Sequence, residues 1–203
     1  MIVACSSCGI RYSGAGFRDQ QCPACGVVAT VTRAGQRICP RCELPFDARE
    51  VSDLVLDECG RCQGLFLDQV TIGRILEDAE AHARADALLA ALPRREPRAL
   101  PPPGGRMYIK CPVCPQTMNR KLFASGSGVV VDICKAHGTF FDAGELPAIL
   151  DFVRAGGLEK AAQKQREAAR PRGEPPSSSR GTSTFDAADA GGALVELLFS
   201  IFD

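Results

Sequence analysis

The 203-residue chain has no net charge, with 24 Lys and Arg against 24 Asp and Glu, and it contains two histidines and no tryptophan. A balanced total excludes a uniformly basic nucleic-acid coat protein and an acidic solvating chain, while leaving local patches open. No window approaches the roughly 20 apolar residues that a membrane span requires. Residues 1–5 carry no positive n-region, and Arg11 and Arg18 interrupt the chain before a signal-peptide apolar stretch develops. A cytoplasmic, reducing setting is expected. There is also no Ser-His-Asp set, phosphate loop or dinucleotide fingerprint. His82 lies in an alanine-rich helical run and reads as a surface residue, so no enzymatic activity and no small-molecule substrate are expected.

Cysteine is abundant: there are 11, an odd count that cannot close into a full set of disulfides. Ten fall into C-x-x-C pairs, Cys5/Cys8, Cys22/Cys25, Cys39/Cys42, Cys59/Cys62 and Cys111/Cys114. The eleventh, Cys134, has His137 three residues on, which makes a sixth pair and completes twelve ligands. Structural zinc takes four N or S ligands in a tetrahedron, and a two-residue spacer lets one tight knuckle supply two of them. Three closed zinc sites are predicted. Pro follows Cys22, Cys39 and Cys111, and Gly follows Cys8 and Cys25, as knuckle turns require. A thioredoxin-like redox pair is a single C-x-x-C beside a βαβ pattern and does not explain six pairs.

The intervals of 13, 13 and 16 residues between the first four pairs permit either sequential or interleaved sharing. An internal repeat favours sequential sharing. Cys39-Pro40-Arg41-Cys42, Asp57-Glu58-Cys59-Gly60-Arg61-Cys62 and Leu65-Phe66-Leu67-Asp68 match Cys111-Pro112-Val113-Cys114, Asp132-Ile133-Cys134-Lys135-Ala136-His137 and Thr139-Phe140-Phe141-Asp142. The second copy must close its own site, so the first uses Cys39, Cys42, Cys59 and Cys62. Cys5, Cys8, Cys22 and Cys25 make the third.

Each repeat runs knuckle, β-prone stretch, knuckle, aromatic patch, Asp, amphipathic helix. The β-prone stretches are 51–56 and 129–133, with 27–32 ahead of the first repeat, and Gly126 and Gly128 mark a hairpin turn. Asp142 and Glu145 have capping-box spacing before a stripe of Leu146, Ile149, Leu150 and Val153 that Gly156-Gly157 ends. The first repeat's stripe is Ile72, Ile75, Leu76, Ala79 and Ala83, and the helices are expected to cover Phe66, Phe140 and Phe141. The expected fold is a small metal-stabilised α+β protein of three tandem zinc ribbons with short β-hairpins, two followed by a helix. Its units are an N-terminal ribbon at 1–38, the first repeat at 39–92 and a Pro/Arg-rich linker at 93–110. The second repeat follows at 111–157, then a polar, largely disordered stretch at 158–190 that opens with a polar, mobile helix. An apolar segment at 191–203 either folds back on the protein or docks a partner.

The first repeat resembles the bacterial family of transcription factor IIB-type zinc fingers, whose pattern is CPxC followed by DxCxxCGGxWLDxGEL. Residues 111–150 resemble it too, closing on Phe141-Asp142-Ala143-Gly144-Glu145-Leu146. Phe66 and Phe140 stand where the family has Trp, Gln69-Val70-Thr71-Ile72 replaces the xGEL ending, and His137 replaces the fourth cysteine with one residue fewer before the Asp. The resemblance implies a zinc ribbon and does not by itself imply action in transcription.

Charge is segregated: 1–38 carry +3, 39–92 carry −6, 93–110 carry +4, 111–150 balance, 151–180 carry +3 and 181–203 carry −4. Four protein ligands leave zinc no open position for substrate. The chain therefore reads as a non-enzymatic, zinc-binding adaptor with a protein partner. The alternative is a transcription-associated protein that binds nucleic acid or RNA polymerase through its basic segments. A thiol-redox or zinc sensor is a third reading.

Overall fold

The computed structural model describes residues 2–7, 9–13, 22, 25–26, 31–33, 35–51, 54–77, 90 and 106–169. An N-terminal antiparallel sheet contains β1 (Ile2–Cys5), β2 (Arg11–Ser13) and β3 (Val31–Arg33) in the order β2-β1-β3. The first repeat supplies β4 (Asp47–Val51), β5 (Leu54–Glu58), β6 (Leu65–Asp68) and helix α1 (Gln69–Glu77). The second supplies β7 (Asn119–Leu122), β8 (Val130–Cys134), β9 (Gly138–Phe141) and helix α2 (Glu145–Arg154), followed by α3 (Gly157–Ala169). These elements make a small α+β protein with β-hairpins and, among the described residues, three helices.

The two repeats, expected as successive hairpin units, share one six-stranded sheet of order β4-β5-β6-β9-β8-β7. The seam is antiparallel and pairs Phe66 with Phe140, Leu65 with Phe141, Leu67 with Thr139 and Asp68 with Gly138. Phe66 and Phe140 occupy equivalent positions of the repeats, so the register places an approximate two-fold axis between them. Both seam strands are buried along their whole length, as central strands covered on both faces must be.

Side chains alternate across a strand, and the sheet accordingly carries two cores. On one face Leu54, Leu56, Leu65, Leu67, Val131, Ile133 and Phe141 pack under Ile72, Ile75 and Leu76 of α1 and Leu146, Ile149 and Leu150 of α2. Leu158 and Ala161 of α3 join this core, which anchors the start of the stretch read as polar. On the other face Phe46, Phe66, Ile109, Met118 and Phe140 pack with Cys39, Cys59, Cys111 and Cys134. The helices therefore cover Phe141 but not Phe66 or Phe140. Period-two alternation sends those two rings to the cysteine side, which corrects the expectation that all three lie under helices.

Two local expectations also change. The β-prone run 51–56 is divided between β4 and β5, which pair from Asp47 with Glu58 to Val51 with Leu54. Asp142 and Glu145 complete only half of a capping box: the Asp142 N–H donates to Glu145 Oε2 at 2.7 Å, while Gly144 is the N-cap and offers no side chain. The carboxylate of Asp142 is held by an arginine instead. In the first repeat, which lacks the glutamate, Asp68 does cap its helix, accepting from the Thr71 N–H at 2.9 Å. Gly156, at φ 69°, closes α2 as expected. Ala79, His82, Ala83, residues 27–30 and residues 191–203 lie outside the described residues.

Candidate metal centres

Four of the six knuckles are closed by the same hydrogen bond. The carbonyls of Cys5, Cys22, Cys39 and Cys59 accept from the N–H four residues on, at Gly9, Gly26, Glu43 and Gln63, over 2.8–2.9 Å. Those four acceptor partners all have positive φ, between 58° and 71°. Glycine takes that conformation without cost, whereas Glu43 and Gln63 hold it against their Cβ atoms. The turn aims amides at sulfur: Ser7, Gly64 and Val113 N–H each donate to the Sγ two residues earlier, at 3.4 Å.

The knuckles bring the sulfurs together in three clusters: Cys39, Cys42, Cys59 and Cys62; Cys111, Cys114, Cys134 and His137; and Cys5, Cys22 and Cys25. Within each, the ligand atoms all lie within 4.8 Å of one another. Cys8, the expected fourth ligand of the last cluster, lies outside the described residues. The spacing fits zinc. A tetrahedron of sulfurs about 2.3 Å from the metal has edges of about 3.8 Å, and Cys39 Sγ to Cys62 Sγ is 3.7 Å, Cys114 to Cys134 3.9 Å and Cys5 to Cys25 3.9 Å. His137 faces Cys134 Sγ with Nδ1 at 3.3 Å, which makes Nδ1 the atom directed at the metal position.

Electrostatics fit as well. Burial pushes the Cys111 thiol up to about 12 and Cys42 up to about 11, and the bond to Cys39 followed by burial raises Cys62 further. Crowded sulfurs resist accumulating charge by themselves; a dication among them reverses the balance and holds them as thiolates. Burial, followed by the charge of Arg37, lowers the pKa of His137 and favours the neutral imidazole that a metal needs. Zinc, when bound, supplies a charged tetrahedral anchor that ties two knuckles together.

The residues around the first two clusters were not foreseen as functional. Arg41, in the first knuckle, reaches across the seam: Nη2 lies 3.1 Å from Asp132 Oδ2, and the guanidinium also holds Asp142 and stands over the Phe140 ring at 5.7 Å. Burial lifts Asp132 to about 6 despite Arg41 and Arg120 beside it. The position equivalent to Arg41 in the second repeat is Val113, which cannot return the favour. Arg37 fills that place, stacked over Phe66 at 5.2 Å and bonded to Asp57 at 2.9 Å. Arg11, from the N-terminal sheet, takes the other oxygen of Asp57 at 2.5 Å, and Arg37 donates to the Gly9 carbonyl at 3.3 Å. These bonds seat the N-terminal unit on the first repeat. The visible signal was the Asp two residues before Cys59 and Cys134, present in both repeats.

The three units meet at a cleft of about 160 Å³ lined by Ile10, Cys25, Arg37, Asp68 and His137 among others. Burial raises the Asp68 carboxyl there above its usual range.

Fold and donor sets together define a cysteine-rich α+β protein with three metal clusters, and zinc is the ion the donors suit. Residues 38–78, which contain the first four-cysteine cluster, match the family model described as transcription factor zinc-finger. No curated protein and no solved structure matches the chain. Among the described residues no helix is long and apolar enough to cross a membrane.

Proposed function

We propose that the protein is a non-enzymatic adaptor built of three zinc ribbons in tandem, in which metal stiffens a platform for a protein partner. The second repeat is, in this reading, another finger of the kind matched at 38–78, and residues 5–25 hold a simpler ribbon. The observation that carries it is the completeness of the two described four-donor sets, Cys39/Cys42/Cys59/Cys62 and Cys111/Cys114/Cys134/His137. A closed tetrahedron has no position for water or substrate, so it does structural work. What the platform offers outward is apolar: Ile38 and Leu44 beside the first knuckle and Val113 in the second are exposed, and such side chains on a rigid base suit protein contact.

The test is affinity capture with the full zinc-loaded chain as bait, beside Leu44→Glu, Val113→Glu and a chain ending at residue 190. A partner retained by the parent, lost on one of these changes and reproduced with purified components supports the adaptor reading. Turnover of a small molecule by the zinc-loaded protein, or identical capture by all four baits, defeats it.

A second reading, transcription-associated binding of nucleic acid or polymerase, draws on the family match over 38–78.

A further inference from the structure

The approximate two-fold axis supplies an internal control, because most surface positions of the second repeat have a counterpart in the first; the second has three more residues between its knuckles. The exposed carboxylates differ most between them, while cations change in both directions, with Arg61 corresponding to Ala136. Counting from the paired cysteines, Gln36 corresponds to Tyr108, Ile38 to Lys110 and Gly60 to Lys135; along the edge strands Asp47 corresponds to Asn119 and Glu50 to Leu122. The first repeat's face exposes Glu43, Asp47 and Glu50. Between 106 and 137 the only carboxylate is Asp132, which is 2% exposed and paired with Arg41 and Arg120.

On this face, to which residues 106–137 contribute no exposed carboxylate and the first repeat contributes Glu43, Tyr108 is 65% exposed, the most exposed large apolar side chain among the described residues. Its neighbours hold it in place. Ile109 is buried and accepts the Met118 N–H at 2.9 Å, and Lys110 pairs with Thr117 in an antiparallel bridge. With Ile109 turned inward, the flanking Tyr108 and Lys110 are left to solvent. Lys135 is exposed beside Cys134, and Lys110 beside Cys111, two donors of one cluster whose sulfurs lie within 4.8 Å. Arg106 completes the set; its ion pair with Glu43 spans 3.1 Å with both side chains at least 70% exposed, a weak pair that another anion can replace. The metal cluster adds to the bias. Zinc with three thiolates and a neutral imidazole carries one negative charge fewer than zinc with four thiolates, so His137 makes this knuckle the less repulsive one to an anion.

We propose that Arg106, Tyr108, Lys110 and Lys135 form a binding site for single-stranded nucleic acid, with Tyr108 stacked on a base and the three cations meeting phosphates. A flat exposed ring among cations suits an unpaired base, whose faces a duplex hides. The site rests on the second reading above, to which it gives a ligand and a place; it shares no residue with the Leu44 and Val113 surface, so its failure leaves the adaptor reading standing.

The experiment is fluorescence anisotropy of the full zinc-loaded chain with labelled oligo(dT) and oligo(U) of about 12 nucleotides, from about 25 to 200 mM salt. Binding is expected with a log-log salt slope of about −2, from about 0.7 per phosphate contact. Tyr108→Ala should weaken it about tenfold with the slope unchanged. Lys110→Glu and Lys135→Glu should weaken it and flatten the slope, and Arg61→Glu, an exposed cation of the first repeat, should change neither. Zinc content and far-UV circular dichroism establish that each variant is folded. Absence of binding at the lowest salt overturns the site, as does binding insensitive to Tyr108→Ala and Lys110→Glu. Equal affinity for a poly-glutamate peptide overturns it too, in favour of an acidic protein partner.

Discussion

Arg41 holds both carboxylate oxygens of Asp142, Nε to Oδ1 at 2.5 Å and Nη2 to Oδ2 at 2.8 Å, across 101 positions of sequence. One side chain of the first knuckle thereby fixes the residue that precedes the second repeat's helix. The geometry is bidentate, and the Arg41 side chain is 8% exposed, so the pair is shielded from water and is stronger than a surface ion pair.

Arg41→Met keeps the length of the side chain and leaves Asp132 and Asp142 without their shared partner. Breaking a buried pair from one side costs about 3–5 kcal/mol. Chemical denaturation of the zinc-loaded variant should show a loss of that order, and a change under about 1 kcal/mol would show that the clamp is incidental.

Gly138 sits at φ 145° opposite Asp68, and a Cβ there would overlap the Leu67 carbonyl and the Asp68 Cα. Both obstacles are backbone atoms of the neighbouring strand, so the seam itself must yield. Gly138→Ala is expected to destabilise by about 3 kcal/mol or more and to speed amide exchange at the seam. Gly73, inside α1 with open space around it, is the control: Gly73→Ala should stabilise by about 0.5–1 kcal/mol. Equal effects at the two sites would contradict the seam's register.

Local spacing made much of this legible. A C-x-x-C pair builds its own knuckle, so the clusters that the described donors form could be read without knowing the fold, and Gly126, Gly128 and Gly156 marked turns for equally local reasons. The β6–β9 seam could not be read that way, because it pairs residues 70 to 76 positions apart and depends on the edges both repeats present. A trace existed in Leu65-Phe66-Leu67 and Phe140-Phe141, apolar runs without alternation, which belong to strands covered on both faces. Asp142 misled for a related reason: a carboxylate before a helix can cap it or bind a guanidinium, and Arg41 decides between them from the other repeat. The roles of Arg37 and Val113 emerge only once the two-fold relation is seen.

Glu145 gives a pH signature. Burial, then the charge of Asp142, raises its carboxyl from an ordinary 4.5 to about 8. The folded protein thus binds this proton more tightly than the unfolded chain does. The stability it contributes is complete below about pH 4.5 and is lost as pH rises through about 8. Glu145→Gln retains an oxygen to accept the Asp142 N–H and removes the titration. Between pH 6 and 9 the variant should therefore gain stability relative to the parent, as read from paired denaturation curves. A constant difference across that range would contradict the shift.

Metal removal should unfold the cysteine face first. Structural zinc contributes about 10–16 kcal/mol apparent free energy per site, whereas each large aliphatic side chain buried under the helices contributes about 1.5–3 kcal/mol. Strong chelation is expected to abolish cooperative thermal unfolding. A sharp transition that survives verified zinc removal would mean that the helix-covered core folds alone.

Native mass spectrometry of the full chain, purified with zinc under reducing conditions, bears most directly on the three-site account. The twelve donors Cys5, Cys8, Cys22, Cys25, Cys39, Cys42, Cys59, Cys62, Cys111, Cys114, Cys134 and His137 predict three zinc ions per chain, with a single ion lost in His137→Ala. A parent that carries two ions or fewer, or a His137→Ala variant that keeps all three, would contradict it.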